Sequence, residues 1–258
     1  MWLLVVKLYL LNSNSDQMIK KQIPNFITSL NLLCGSVAVV FILKGALTTA
    51  VLLIMLAAVF DFFDGMSARM LKAYSPMGKE LDSLADMISF GLAPGLIMFK
   101  LLEISLFKLD VVPDLQSNLS TSQLLIIGSA FLIPIFSAFR LAKFNVDERQ
   151  TSSFIGLPTP ANALFISSLA LIQEHGTIPA IDSILLTTPV LVGITLLFSY
   201  LLIAEIPMFA LKFKDFAWNT NKVQYIFIIL SIILLGTLHL YGISAVVLLF
   251  IGISVIRR

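Results

Sequence analysis

Charge is what this chain has least of. Only 12% of its 258 residues are Asp, Glu, Lys or Arg, about half the roughly 25% of a soluble globular domain. So few charges cannot wet the surface of a 28.4 kDa protein, which argues against a soluble enzyme, a disordered chain or a nucleic-acid binder. The single cysteine, Cys34, rules out an intramolecular disulfide and any Cys-rich metal centre. Two distant histidines, His175 and His239, give no basis for a His-based zinc site and receive no role. There is no low-complexity tract, convincing repeat or soluble domain. What the chain has instead is 58% hydrophobic residues and a mean hydropathy of +0.98, the composition of an integral membrane protein. The net charge of +2 says little, because in such proteins the placement of charge carries the information.

A bilayer is crossed by about 20 apolar residues in a helix. Stretches of that kind lie near 26–43, 46–63, 83–102, 122–142, 158–173, 184–206, 223–238 and 241–256. The expected fold is therefore an all-α transmembrane bundle of about eight spans, six or seven being the alternatives, with the last two forming a hairpin broken near His239–Gly242. Placing the N-terminus in the cytoplasm puts fourteen basic residues inside. Only Lys44, Lys100 and Lys108 remain outside, the asymmetry that orients membrane proteins. Both termini are then cytoplasmic, in the cell (inner) membrane. Three segments follow: 1–22 as an N-terminal cytoplasmic or interfacial piece, 23–206 as the transmembrane core, and 207–258 as a loop plus hairpin. Residues 1–17 read equally as an interfacial helix or as an extension upstream of a start at Met18.

Four of the fifteen acidic residues crowd into 26 positions: Asp61, Asp64, Asp82 and Asp86. The first pair is spaced i, i+3 at the cytoplasmic end of span two, the second i, i+4 at the start of span three, so each pair occupies one helix face. Joined through the polar connection 64–82, the two pairs can meet across one cleft. Four uncompensated carboxylates repel one another strongly away from water, and Arg69 alone cannot neutralise them. Oxygen donors of this kind suit one or two hard divalent cations, Mg²⁺ or Mn²⁺, an arrangement fitted to displacement at phosphorus.

Residues 61–86 read DFFDGMSARMLKAYSPMGKELDSLAD and satisfy D-x2-D-G-x2-A-R-x8-G-x3-D-x3-D at every fixed position. In this the chain resembles the CDP-alcohol phosphotransferases, membrane enzymes of phospholipid synthesis. The stretches IPNFITSLNLLCG (23–35), FDFFDG (60–65), LDSLADMISFGLAPG (81–95), FRLAKFN (139–145) and GLPTPANA (156–163) are most similar to the branch that forms phosphatidylserine. On composition of the motif, Gly65 and Ala68 lack bulk where a nucleotide would approach, Arg69 offers charge to a diphosphate, and Gly78 suits a turn before span three.

The resemblance implies the following roles. Asp61, Asp64 and Asp82 bind the metal that meets the CDP diphosphate, and Asp61, Asp82 and Asp86 hold a second, with Asp86 as general base. Gly65, Arg69 and Ser75 contact the CDP moiety with Ala68 beside them, and Asn25 and Thr28 reach it from span one. The hydroxyl of L-serine attacks the β-phosphorus of CDP-diacylglycerol and CMP leaves; a homodimer is also implied. For the acceptor's carboxylate, Arg140 is the candidate partner, equally readable as a positive-inside anchor, and Asn145 a second contact. Glu205 is expected to be a hydrogen-bonded core acid rather than a cavity wall. Gly91 and Gly95 match a small-xxx-small packing pattern within the protomer. The competing functions are transfer to glycerol 3-phosphate or inositol phosphate, which calls for a denser basic pocket, and carboxylate-based ion or proton transport, which favours sites at the bilayer midplane.

Overall fold

The computed structural model describes residues 2–107, 119–147, 154–209, 217, 218 and 220–256, with backbone alone for 2–21 and 154. Eleven α-helices run through these residues: α1 (Trp2–Leu43), α2 (Leu47–Met70), α3 (Pro76–Asp86), α4 (Ala93–Phe107), α5 (Thr121–Gly128), α6 (Leu132–Val146), α7 (Thr159–His175), α8 (Pro179–Leu185), α9 (Thr188–Ile203), α10 (Lys222–Leu238) and α11 (Leu240–Ile256). A π-helical segment, Met87–Leu92, joins α3 to α4, and a 3₁₀ turn, Ser129–Phe131, joins α5 to α6. The only strands among the described residues, β1 (Phe154–Ile155) and β2 (Pro207–Met208), form a two-residue antiparallel bridge. The protein is all-α, and helix makes up most of each of the eight apolar stretches.

Among the described residues, four helical runs are long and apolar enough to cross a membrane: Gln22–Leu43, Leu47–Met70, Pro76–Phe107 and Thr121–Val146. A fifth arises if α8 and α9 count as one element bent by 64°. The stretch 184–206 was expected to be one span. It breaks before Thr188–Pro189 because proline disfavours the helical conformation of the residue preceding it and lacks the N–H for the ladder. The helices α7, α10 and α11 have 17 residues each, at the lower edge of the spanning range. Between α10 and α11 the chain reverses at His239 (φ 49°). A Cβ on Gly242 would sit 2.6 Å from the Leu234 carbonyl oxygen, so the hairpin closes only with glycine there.

The core is a seam of small and branched residues where α1, α2, α4 and α7 meet, including Ala38, Ile42, Ala50, Ile54, Ala57, Ile97 and Ile166, all fully buried. Alanines let α1 and α2 approach closely. Gly91 and Gly95 do the same on the third span. Cβ atoms there would come 3.1 Å from Ser137 Cβ and 2.7 Å from Pro134 Cδ, so this pair packs against α6 within the chain, as expected. Large apolar side chains such as Leu33, Leu52, Leu56 and Phe62 face outward, where hydrocarbon rather than water suits them. At the end of the bundle away from the aspartates, Glu174 on α7 accepts hydrogen bonds from Leu47 N (3.2 Å) and Thr48 N (3.0 Å). It thereby caps α2, whose own N-cap residue Ala46 has no side chain to do so. His175 is bonded to Thr48 Oγ1 at 2.7 Å in the same cluster.

Candidate active site

The connection between the acidic pairs is shorter than the polarity of 64–82 suggests. The helix α2 runs to Met70, and α3 begins at Pro76 with Ser75 as its N-cap, whose Oγ accepts from Gly78 N at 2.9 Å. Only five residues separate the two helices. Hydropathy hides the start of α3 because Lys79, Glu80 and Asp82 are polar, yet capping serine and proline at the first helical position are start signals. Gly78 therefore lies inside a helical turn rather than in a loop. Its missing side chain leaves room for Asn25 Oδ1 and Ser75 Oγ, each 3.0 Å from where a Cβ would sit.

These helices bring the four aspartates together. Carboxylate oxygens of Asp61, Asp64 and Asp82 lie within 4.8 Å of one another. Asp61 sits against both Asp82 and Asp86. The third wall is α1, which packs on α2 and α3. Its Thr28 hydroxyl lies 2.6 Å from Asp64 Oδ2, and Asn31 Nδ2 donates to Asp86 Oδ1 at 3.3 Å. The backbone oxygen of Asn31 accepts from Ser89 Oγ (3.1 Å) in the π-helical segment. A Cβ on Gly35 would fall 2.8 Å from Ser89 Cα, so only glycine lets α1 lie this close. Thr28, Asn31 and Gly35 thus form one face of α1 at i, i+3, i+7. Asn31 was not among the residues singled out from sequence, although its place on that face with Thr28 was the available signal.

Beside the acids opens a cleft of about 190 Å³. Asn25, Thr28, Gly65, Ala68 and Ser75 all line it, together with Asp64 and Asp82. Nothing stands within 4 Å of the position a Gly65 side chain would take, so this wall is open to an incoming ligand. Tyr74 and Lys79, not singled out from sequence, complete the rim. Arg69 does not line the cleft: it is exposed, and its Nε donates to the Gly65 carbonyl oxygen at 3.0 Å.

On the far side, Arg140 of α6 is only 7% exposed. Its guanidinium sits 5.9 Å from the Phe144 ring centre, interacts electrostatically with Asp86, and leaves Nε without a hydrogen-bond partner. Asn145 is engaged with α3. Its Nδ2 donates to Ser83 Oγ (2.9 Å), and its carbonyl oxygen accepts from Lys79 Nζ (2.7 Å). Glu205 is not the core acid expected. Its side chain is 68% exposed and pairs with Lys143 at 3.1 Å, because the chain leaves α9 at Ile203 and carries residue 205 out of the bundle.

Among the described residues none of the four aspartates has a Lys or Arg within ion-pairing distance. The buried Asp82 Oδ1 has no hydrogen-bond partner. Clustered oxygen donors with a free buried ligand atom, approached by Arg140 alone and only near Asp86, fit a hard divalent cation.

Residues 21–201 match the family described as CDP-alcohol phosphatidyltransferase. The chain belongs to that family. It is 37% identical over 138 residues to a Bacillus subtilis protein named CDP-diacylglycerol–serine O-phosphatidyltransferase, covering 54% of this chain and 69% of that one. A Helicobacter pylori protein of the same name is 27% identical over 234 residues, 89% of each chain. An archaetidylserine synthase from Methanothermobacter thermautotrophicus is 31% identical over 160 residues, 61% of each.

Proposed function

We propose that this protein is a membrane phosphatidyltransferase that moves the phosphatidyl group of CDP-diacylglycerol onto the hydroxyl of L-serine, releasing CMP. The observation that carries the reading is the convergence of Asp61, Asp64 and Asp82 to within 4.8 Å beside a cleft walled by Asn25, Gly65, Ala68 and Ser75. The similar proteins named as serine phosphatidyltransferases support the choice of acceptor.

In this reading the cleft receives the cytidine diphosphate. Gly65 and Ala68 leave room for it, Ser75 and Asn25 offer hydrogen bonds, and Arg69 swings from the Gly65 carbonyl to meet the diphosphate. Asp61, Asp64 and Asp82 would hold one divalent cation and Asp61, Asp82 and Asp86 a second, Mg²⁺ or Mn²⁺. When bound, such ions neutralise negative charge on the diphosphate leaving group. Asp86, oriented by Asn31, takes the proton of the serine hydroxyl. The hydroxyl oxygen then forms its bond to the β-phosphorus as the bond from that phosphorus to the bridging oxygen breaks, and CMP departs with the electron pair. The chain supplies position and charge, with no covalent intermediate. Arg140, buried beside Asp86, takes the serine carboxylate as a bidentate partner, while Asn145 contributes by fastening α6 to α3.

The same reading has eight helical elements crossing the cell (inner) membrane, with 23–206 as the transferase core between an N-terminal segment 1–22 and a C-terminal piece 207–258. Fourteen of seventeen basic residues then fall on the cytoplasmic side, where the active site opens, and the protein works as a homodimer. Purified protein given CDP-diacylglycerol, Mg²⁺ or Mn²⁺ and a panel of alcohols should release CMP with L-serine. Release with glycerol 3-phosphate and not serine would overturn the acceptor, and release with none of them the enzyme reading.

A further inference from the structure

Buried polar atoms in proteins nearly always have a hydrogen-bond partner, so a group of them lacking one on a single helix face marks a place built to receive something polar. The first turn of α7 carries such a group. Asn162 is fully buried, and neither its Nδ2 nor its Oδ1 has a partner. One turn earlier on the same face, Thr159 is also fully buried with Oγ1 unpartnered.

The packing of α7 sets the height of this group in the bundle. Glu174 joins the far end of α7 to the start of α2 through Leu47 N and Thr48 N, and the two helices pack together, so they run antiparallel. From that joint, Asn162 lies 12 residues along α7 and Asp61 lies 13 residues along α2 from Thr48. At about 1.5 Å per residue the two stand at nearly the same level. The helix α7 also packs on the π-helical segment that follows Asp86, the aspartate that Arg140 senses from α6.

We infer that Asn162, supported by Thr159, is a specificity-determining residue that reads the zwitterionic part of the acceptor. An amide is suited to this task because it offers a donor and an acceptor with no net charge. Its Oδ1 accepts from the acceptor's ammonium group, and its Nδ2 adds a neutral donor to the carboxylate that Arg140 holds. An acceptor bearing a phosphate would be served by cations instead. The inference rests on the serine-transfer reading and extends it to a helix outside the aspartate motif.

The test uses the purified full chain with CDP-diacylglycerol and Mg²⁺ or Mn²⁺. Acceptors are L-serine, ethanolamine (no carboxylate) and 3-hydroxypropionate (no ammonium). Asn162→Leu should raise the serine KM about tenfold or more while leaving the CDP-diacylglycerol KM within about twofold, since a site built for polar groups discriminates strongly. Asn162→Asp should shift preference from serine toward ethanolamine, because a carboxylate there attracts ammonium and repels carboxylate. A merely structural role would not reorder acceptors. An unchanged ranking together with an unchanged serine KM, or KM values for both substrates rising in parallel, would overturn the inference. If the Asn162 variants no longer bind CDP-diacylglycerol, Thr159→Val carries the test on the serine KM, which should rise alone. Wild-type protein that uses another alcohol in place of serine would overturn the functional reading, whereas serine activity indifferent to these substitutions overturns this inference only.

Discussion

Replacing Thr28 by valine separates two roles that its position in the cleft allows. Its hydroxyl has one proton to give, and of its two neighbours, Asp64 Oδ2 at 2.6 Å and the Pro24 carbonyl oxygen at 3.0 Å, the charged and closer one takes it. Thr28 is 3% exposed, and valine keeps its shape, so the change removes the hydrogen bond and little else. A bond to a charged group contributes about 1.5–3 kcal/mol, and losing a residue that orients a metal ligand typically weakens metal affinity by about 10–100-fold. In a CMP-release assay, the Mg²⁺ or Mn²⁺ concentration giving half-maximal rate should therefore rise by about 10–100-fold. The rate at saturating metal and the serine KM should stay near wild type. If the metal dependence is unchanged and the CDP-diacylglycerol KM rises instead, Thr28 contacts the nucleotide and the argument that it orients Asp64 is refuted.

Asp86→Asn removes the proposed base while sparing the cluster of Asp61, Asp64 and Asp82. The rate with serine should fall by about 10²–10⁴, with CDP-diacylglycerol binding, measured by calorimetry, little affected. Gly35→Ala forces a Cβ to within 2.8 Å of Ser89 Cα, backbone that cannot step aside. Overpacking of this kind costs about 1–3 kcal/mol, which a thermal melt in detergent should register as a lower Tm. Activity should drop with it, because Asn31 can no longer reach Asp86.

The aspartates were legible in the sequence because charge stands out in an apolar chain, and their spacing alone put each pair on one helix face. Asn25, Thr28, Gly65, Ala68 and Ser75 followed from the resemblance and do line the cleft. Other features depend on partners distant in sequence. Asn31 is an ordinary polar residue in an apolar span until Asp86, 55 positions later, is brought against it. The start of α3 was invisible to hydropathy because its polar residues serve the cleft. The orientation of Arg69 toward Gly65 is a rotamer choice that no spacing encodes, whereas the bend before Pro189 had a signal in Thr187, Thr188 and Pro189, outweighed by the apolarity on either side. Glu205 failed as a core acid although Pro207, two residues on, was the available sign that α9 ends before it.

The π-helical segment after Asp86 divides the third span into two rods whose relative phase is set by a residue count. An α-helix turns by about 100° per residue, and a wider turn absorbs one residue without advancing the ladder by a full step. The rod below is seated in the core through Ala93, Ile97 and Met98, which hold its rotation. Adding one further residue to Met87–Leu92, beyond the one the wide turn absorbs, would therefore wind Asp82 and Asp86 about a quarter-turn away from Asp61 and Asp64, while the span stayed helical. Substitutions in this segment can be absorbed locally, but lengthening it acts like a clutch, disengaging the half that carries chemistry from the half anchored in the bundle.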